Sequence, residues 1–391
     1  MFATQLRCVA CGYAYPLNPL YECSECGGIL QVDYDFERIA AIAESVESFD
    51  DFSVLLPVRT EFFRTLGEGG TPLIRADRLA MRLGLAELWL KNEAANPTGS
   101  FKDRPISIGM AKALEFGYDK IVIASSGNGA AAAAAYAARS GLAARVLVPE
   151  STPDEKVGQA RFYGAAVERI PGPYSNCYAV AKRIAAEEGY YNLTTTFLNP
   201  YTVEGDKVVG LEIFRQLGRT VPDFVFAPIG DGPILVGIHR GFLELRRLFP
   251  ELTVPRMAGI QAEGCSPIAK AFAAGTETVV ADEAPSTIAG GICDGLNGYV
   301  KDGAWTLRHI RESSGFSLAV SDERIAEAQA WLAADEGIFV EPSAAACIAG
   351  LARAVREGKV DASGRIVAVL TGHGLKDMNQ VRKYLDSNVA P

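Results

Sequence analysis

Asn96-Pro97-Thr98-Gly99-Ser100-Phe101-Lys102-Asp103-Arg104 is the stretch on which the reading of this chain turns. A strand-like run, Leu88 to Glu93 (LWLKNE), leads into it. Asn-Pro-Thr-Gly-Ser then breaks the chain with residues that favour turns. Lys102 follows, and a helical pattern begins at once, with Asp103 as the expected N-cap and Pro105 near the first helical position. A lysine delivered by a strand-to-helix turn suits covalent work. An amine held in a partly dry pocket gives up its proton readily and can attack a carbonyl to form a Schiff base. The plain alternative is a surface lysine after a loop, and the rest of the chain separates the two.

Outward from this turn, short apolar runs alternate with helical ones. Strands are expected at Lys120–Ala124 (KIVIA), Ala144–Val148, 165–170, near 190, at Asp223–Pro228 (DFVFAP), 256–261 and Ile366–Leu370 (IVAVL). Helices are expected up to Phe116, from 128 to Ser140 with Gly141 as C-cap, and over 153–163, 175–187, 203–217, 233–247, 267–274, 304–312, 322–335 and 343–356, with a last one from Leu375. This alternation predicts an α/β protein of open, twisted parallel sheets with helices on both faces. A chain of 391 residues exceeds what one core supports, so two domains are expected.

Composition narrows the function classes. Hydrophobic residues are 49% and charged residues 22%, and the net charge of -9 argues against broad nucleic-acid binding. The apolar stretch Gly127 to Pro149 contains Arg139 and Arg145 and reads as a buried helix and strand, so no membrane span is expected. The start, MFATQLRC, has no apolar leader pattern. Four of the eight cysteines cluster as Cys8-Val-Ala-Cys11 and Cys23-Ser-Glu-Cys26, with eleven residues between the pairs, and the other four are scattered. That is no disulfide framework, and a reducing cytoplasm is inferred. Two CxxC knuckles at close range form a zinc-ribbon-like pattern over residues 1–35. Four thiolates leave no open position, so a structural zinc is expected, with a vestigial ribbon of free thiols as the alternative.

Three further turns follow strands and open helices, where α/β proteins bind ligands. Ser125-Ser126-Gly127-Asn128 could hold a carboxylate on main-chain N–H groups, and Asn128 offers a donor and an acceptor. Gly230-Asp231-Gly232-Pro233-Ile234 suits a phosphate, although Asp231 adds a negative charge and Pro233 removes an N–H. Leu370-Thr371-Gly372-His373-Gly374 ends a buried strand in a hydroxyl residue. Each alone could be ordinary loop glycine. A Schiff-base lysine, a phosphate turn and a carboxylate turn together specify a ligand with an aldehyde and a phosphate that acts on an amino acid, and pyridoxal phosphate fits.

The pieces GEGGTPL, KNEAANPTGSFKDR, ASSGN, NPYTVEGDK, GIFVEPSAAA and LTGHGLKD, with the cysteine ribbon, run in order from residue 8 to residue 377. In these the chain resembles the threonine synthases, within the β-family (fold type II) of pyridoxal-phosphate enzymes. The resemblance implies two domains with the cofactor between them. A smaller substrate-binding domain would take 102–204, and a larger cofactor-binding domain 36–101 and 205–391. It implies that Lys102 holds the cofactor and later moves protons, that Asn128 meets the ring hydroxyl, that Gly230, Asp231, Gly232, Pro233 and Ile234 cradle the phosphate, and that Thr371 meets the pyridine nitrogen. Ser125, Ser126, Gly127 and Thr98 would hold the substrate. In the family, O-phosphohomoserine loses phosphate by γ-elimination and water adds at the β-carbon to give threonine. A homodimer acting on a small amino-acid substrate is expected.

Four positions depart from the family's usual pattern: Thr202 stands for arginine, Asp206 for glutamine, Gly129 for threonine and Pro105 for glycine. Losing a base and gaining an acid should weaken capture of a substrate phosphate, with Lys207, Arg104 and Lys182 as candidate compensating cations. The alternatives are an ammonia-lyase or dehydratase of the same fold, a β- or γ-replacement enzyme on another substituted amino acid, or a catalytically silent ligand-binding relative. Retention of Lys102, Asn128 and Thr371 speaks against the last.

Overall fold

The computed structural model describes residues 1–43, 45–125 and 127–387, without the side chains of residues 380, 383, 384 and 387. The chain forms two compact units: Met1–Gly69, Lys102–Arg215 and Val236–Thr253 make one, and Gly70–Phe101, Gln216–Leu235 and Val254 onward make the other. Residues 36–69, 205–215 and 236–253 therefore group with the segment that follows Lys102, whereas the sequence reading set them with the later part of the chain. Among the described residues no helix is long and apolar enough to cross a membrane.

In the first unit a four-stranded parallel sheet has the order Ala166–Ile170, Ala143–Pro149, Lys120–Ala124, Tyr191–Asn192. The run KIVIA explains why this sheet is covered on both sides. Side chains alternate along a strand, so Ile121 and Ile123 join one cluster with the helices Asp103–Glu115 and Asn128–Ser140, while Val122 and Ala124 join another with Tyr174–Glu188. The alanines from 130 to 137 are at most 5% exposed, so small side chains let that helix lie close on the sheet. Gly141 caps it in the left-handed region at φ 72°, as expected. The helix after Lys102 differs from expectation. Lys102 itself occupies the N-cap, and Asp103 is the first helical residue, where its charge suits the helix dipole. The first unit also contains a small antiparallel sheet of Ala14–Tyr15, Ala3–Cys8 and Leu30–Tyr34.

The second unit is built on a six-stranded sheet, ordered Phe316–Val320, Arg256–Ala262, Phe224–Pro228, Arg365–Leu370, Glu87–Asn92, Leu73–Arg75. The first five are parallel to their neighbours, and the edge strand Leu73–Arg75 is antiparallel. The expectation of purely parallel sheets is thus corrected to mixed and parallel ones. One core packs Leu88, Leu90, Phe226, Ile260, Leu318 and Ile366 against the helices Asp322–Glu336 and Pro342–Arg356.

A buried ion network lies within the first unit. Lys207 Nζ stands 2.7 Å from Glu204 and 2.8 Å from Glu244, and Arg240 stands 2.6 Å from Glu204. Tyr34 donates its hydroxyl to Glu204 at 2.7 Å, and Arg240 donates to the Val32 carbonyl at 3.2 Å. Burial pushes the Glu204 carboxyl up, but Arg240 and Lys207 outweigh it and hold it below the usual carboxylate range. Burial raises its neighbour Glu244. Charges taken this far out of water are tolerable only as a complete set. Lys207→Met would leave two buried carboxylates with one cation. It should lower stability by about 3–5 kcal/mol, read as a shifted midpoint in urea unfolding.

Candidate active site

The loop after Tyr191–Asn192 receives the side chain of Lys102. Its Nζ donates to Thr195 Oγ1 at 2.8 Å and to the Thr195 carbonyl at 3.3 Å. That loop is fixed on every side. Leu193 N–H donates to the Val122 carbonyl at 2.8 Å, and Asn192 Oδ1 accepts from Thr194 N–H at 2.9 Å. Asn199 Nδ2 donates to the Asn192 carbonyl at 2.8 Å. Tyr21, from the N-terminal arm, accepts at its hydroxyl from Asn192 N–H at 2.8 Å. The sequence reading did not single out Thr195. Its only signal was a run of three threonines, 194–196, after an expected strand.

Thr194 links this loop to the Ser125 turn, because its Oγ1 accepts from Ala124 N–H at 3.1 Å. Ser125, Gly127 and Asn128 are half-buried there, with Gly127 at the N-cap of Asn128–Ser140. Ser126 lies outside the described residues. The first N–H groups of that helix have no partner within it and can receive an anion. Gly129 makes room for Ser125: a Cβ at 129 would come within 2.9 Å of Ser125 Oγ. The absence of threonine at this position therefore leaves the Ser125 hydroxyl its present place against the helix.

Within the second unit, two turns leave neighbouring central strands at their C-terminal ends. Phe224–Pro228 ends in Gly230–Ile234, and Arg365–Leu370 ends in Thr371. Gln261 Nε2 donates to the Gly230 carbonyl at 3.1 Å, and Thr306 Oγ1 donates to the Asp231 carbonyl at 2.5 Å. With these carbonyls taken up, the turn is left with N–H groups for an anion, those of Ile234 and the next residue among them. Asp231 turns its carboxylate to Gly232 N–H at 3.1 Å, which occupies one donor of the set. Gly232 has φ 108°, and a Cβ there would lie 2.3 Å from Thr306. Only glycine closes this cradle, which fits a phosphate group. Thr371, 3% exposed, gives its carbonyl to Phe101 N–H at 2.9 Å. His373 N–H donates to the Gly99 carbonyl at 2.9 Å, and Lys376 Nζ donates to the Thr98 carbonyl at 2.8 Å. His373 also accepts at Nδ1 from Leu375 N–H at 3.1 Å, a capping role.

The three candidate compensating cations are all engaged. Lys207 belongs to the buried network, Arg104 forms a fork with Glu212 at 2.8 and 2.7 Å, and Lys182 pairs with Glu22. Thr202 donates its hydroxyl to the Asn199 carbonyl at 2.8 Å, at the start of the helix Thr202–Gln216.

At the N-terminus the thiol sulfurs of Cys8, Cys11, Cys23 and Cys26 all lie within 4.8 Å of one another, with Cys8 and Cys26 at 3.5 Å and Cys11 and Cys23 at 3.6 Å. Sulfurs held about 2.3 Å from a tetrahedral zinc stand about 3.8 Å apart, so the donor set fits that ion. Burial pushes the Cys23 thiol up, but hydrogen bonds from Tyr15 and the main-chain N–H groups of Cys26 and Glu25 bring it down to about 6.

Comparison with known proteins agrees with this geometry. A family model described as pyridoxal-phosphate dependent enzyme matches residues 64–372. The chain is 41% identical over 381 residues to a threonine synthase of Methanocaldococcus jannaschii, covering 95% of this chain and 92% of that one. It is 40% identical over 382 residues to a threonine synthase of Methanosarcina acetivorans, covering 96% and 93%. Among solved structures, a maize serine racemase is 25% identical, with a TM-score of 0.68 over 82% of this chain and 92% of that one. With a lysine at a strand-to-helix turn, a glycine cradle for a phosphate and a family model spanning most of its length, this chain belongs to the pyridoxal-phosphate dependent enzymes.

Proposed function

We propose that the chain is a threonine synthase, a lyase that takes O-phospho-L-homoserine and water to L-threonine and phosphate. The observation that carries this reading is likeness over almost the whole chain: relatives of that name match 95% and 96% of it. Pyridoxal phosphate, when bound, supplies an aldehyde for an amino group and a ring that spreads the charge left when a proton leaves carbon. Lys102 would hold the aldehyde end of the cofactor at its amine and would move protons between substrate carbons. Gly230, Asp231, Gly232, Pro233 and Ile234 hold the cofactor phosphate, and the Asn128 amide bonds the ring hydroxyl. Thr371, a neutral hydroxyl, meets the pyridine nitrogen without forcing a proton onto it. Main-chain and hydroxyl groups of Ser125, Ser126, Gly127 and Thr98 hold the substrate carboxylate. The substrate's phosphate is met by groups other than Arg104, Lys182 and Lys207, whose charges are taken up by Glu212, Glu22, Glu204 and Glu244.

The cysteine cluster holds one structural zinc, supported by its four closely spaced sulfurs. A cytoplasmic homodimer is the assembly and compartment that suit a biosynthetic enzyme of this family.

Adding O-phospho-L-homoserine to the cofactor-loaded protein should release phosphate and threonine in equal amounts, and Lys102→Ala should abolish both. Ammonia and a 2-oxo acid without phosphate would assign the site to a lyase of another substituted amino acid instead. Elemental analysis should find one zinc per chain, lost in Cys23→Ser with a lowered Tm; an intact fold free of metal would refute the ribbon. Sedimentation should give about twice the 41.7 kDa mass of the chain, and a monomer would refute the dimer.

A further inference from the structure

The amine of Lys102 meets two groups of one residue, and they differ in what they can do. The Thr195 carbonyl, at 3.3 Å, only accepts. The Thr195 hydroxyl, at 2.8 Å, can accept from the ammonium or donate to the free amine. The hydroxyl can therefore stay bonded as acceptor or as donor, whether or not the amine carries its extra proton. We propose that Thr195 is a positioning residue for Lys102, holding the amine in its attacking place through both protonation states. This rests on the reading of Lys102 as the cofactor lysine.

The hydroxyl can serve only if its own place is fixed. Thr195 is 8% exposed, and its neighbours are anchored from three directions: Leu193 N–H on the Val122 carbonyl, Thr194 Oγ1 under Ala124 N–H, and Asn192 N–H on the Tyr21 hydroxyl. A lysine side chain gives up about 2 kcal/mol of rotamer entropy when held in one place. A fixed hydroxyl at hydrogen-bond distance offsets that loss and narrows the amine to one direction. The anchor at Ala124 also lies one residue before Ser125, so the same loop is tied both to the lysine and to the candidate carboxylate turn.

The test uses the full chain freed of cofactor. Pyridoxal phosphate is added, borohydride fixes whatever has been captured, and mass spectrometry of peptides locates it. Wild type, Thr195→Val, Thr195→Ala and Thr195→Ser are compared, with Tm measured for each and Lys102→Ala as the blank. Capture at Lys102 should slow about tenfold or more in Thr195→Val and Thr195→Ala, as expected for loss of a hydrogen bond to a charged group. Thr195→Ser should stay within about threefold of wild type, because it restores the hydroxyl and not the methyl. Equal capture rates in wild type, Thr195→Val and Thr195→Ala would overturn the inference while leaving Lys102 as the cofactor lysine. So would a Thr195→Ser protein as slow as Thr195→Val, which would make the shape of the side chain the cause. Capture by wild type at another lysine, or none, would overturn this inference and the cofactor reading together.

Discussion

The fastening of residues 98–101 to residues 371–376 is the constraint on which the candidate site depends. Glu87–Asn92 and Arg365–Leu370 are parallel neighbours in the sheet, so the turns that follow them leave at the same end. Phe101 N–H on the Thr371 carbonyl, His373 N–H on the Gly99 carbonyl and Lys376 on the Thr98 carbonyl then fix one turn to the other. The last of these joins residues 278 apart in sequence. Closing so long a loop costs little more than closing one of half the length, and the strand pairing has already aligned the ends. The result is that the main chain is pinned at Phe101, the residue before Lys102.

Burial decides which charges can act on a ligand. Lys207 follows Asp206 in a stretch that resembles a substrate motif, and by sequence it is an available cation. In the fold it is fully buried between two glutamates, and releasing it to another anion would leave both to Arg240 alone. The helices Thr202–Gln216 and Pro233–Leu248 approach so closely that a Cβ on Gly237 would stand 2.6 Å from that of Asp206, and one on Gly241 would stand 2.8 Å from the Lys207 carbonyl. Glycine at 237 and 241 is what lets these two helices meet.

Elements with a strong local signal were legible in the sequence. KIVIA, DFVFAP and IVAVL each fall within a residue of the strands they predicted, because apolar and β-branched runs between turn residues leave few other solutions. Phe316–Val320 was not legible: FSLAV has a single β-branched residue and lies between two helices. Leu73–Arg75 is three residues long and is held by its neighbour more than by its own preference. At the site, glycine, lysine and threonine at turns could be read because their chemistry is local. Thr195 could not, since its role depends on Lys102, 93 residues away. Nor could the ion network, where Tyr34 finds Glu204 across 170 residues.

The N-terminal arm is no detachable appendage. Tyr21 caps Asn192 N–H and packs its ring 5.9 Å from that of the fully buried Tyr191, and Tyr201 reaches back to the Asn18 carbonyl at 2.8 Å. A lineage that shed the arm would leave a main-chain donor unsatisfied and a tyrosine face wet at the root of the threonine loop. The arm is thus a wall of the loop at residues 191–201 as well as the carrier of the cysteines.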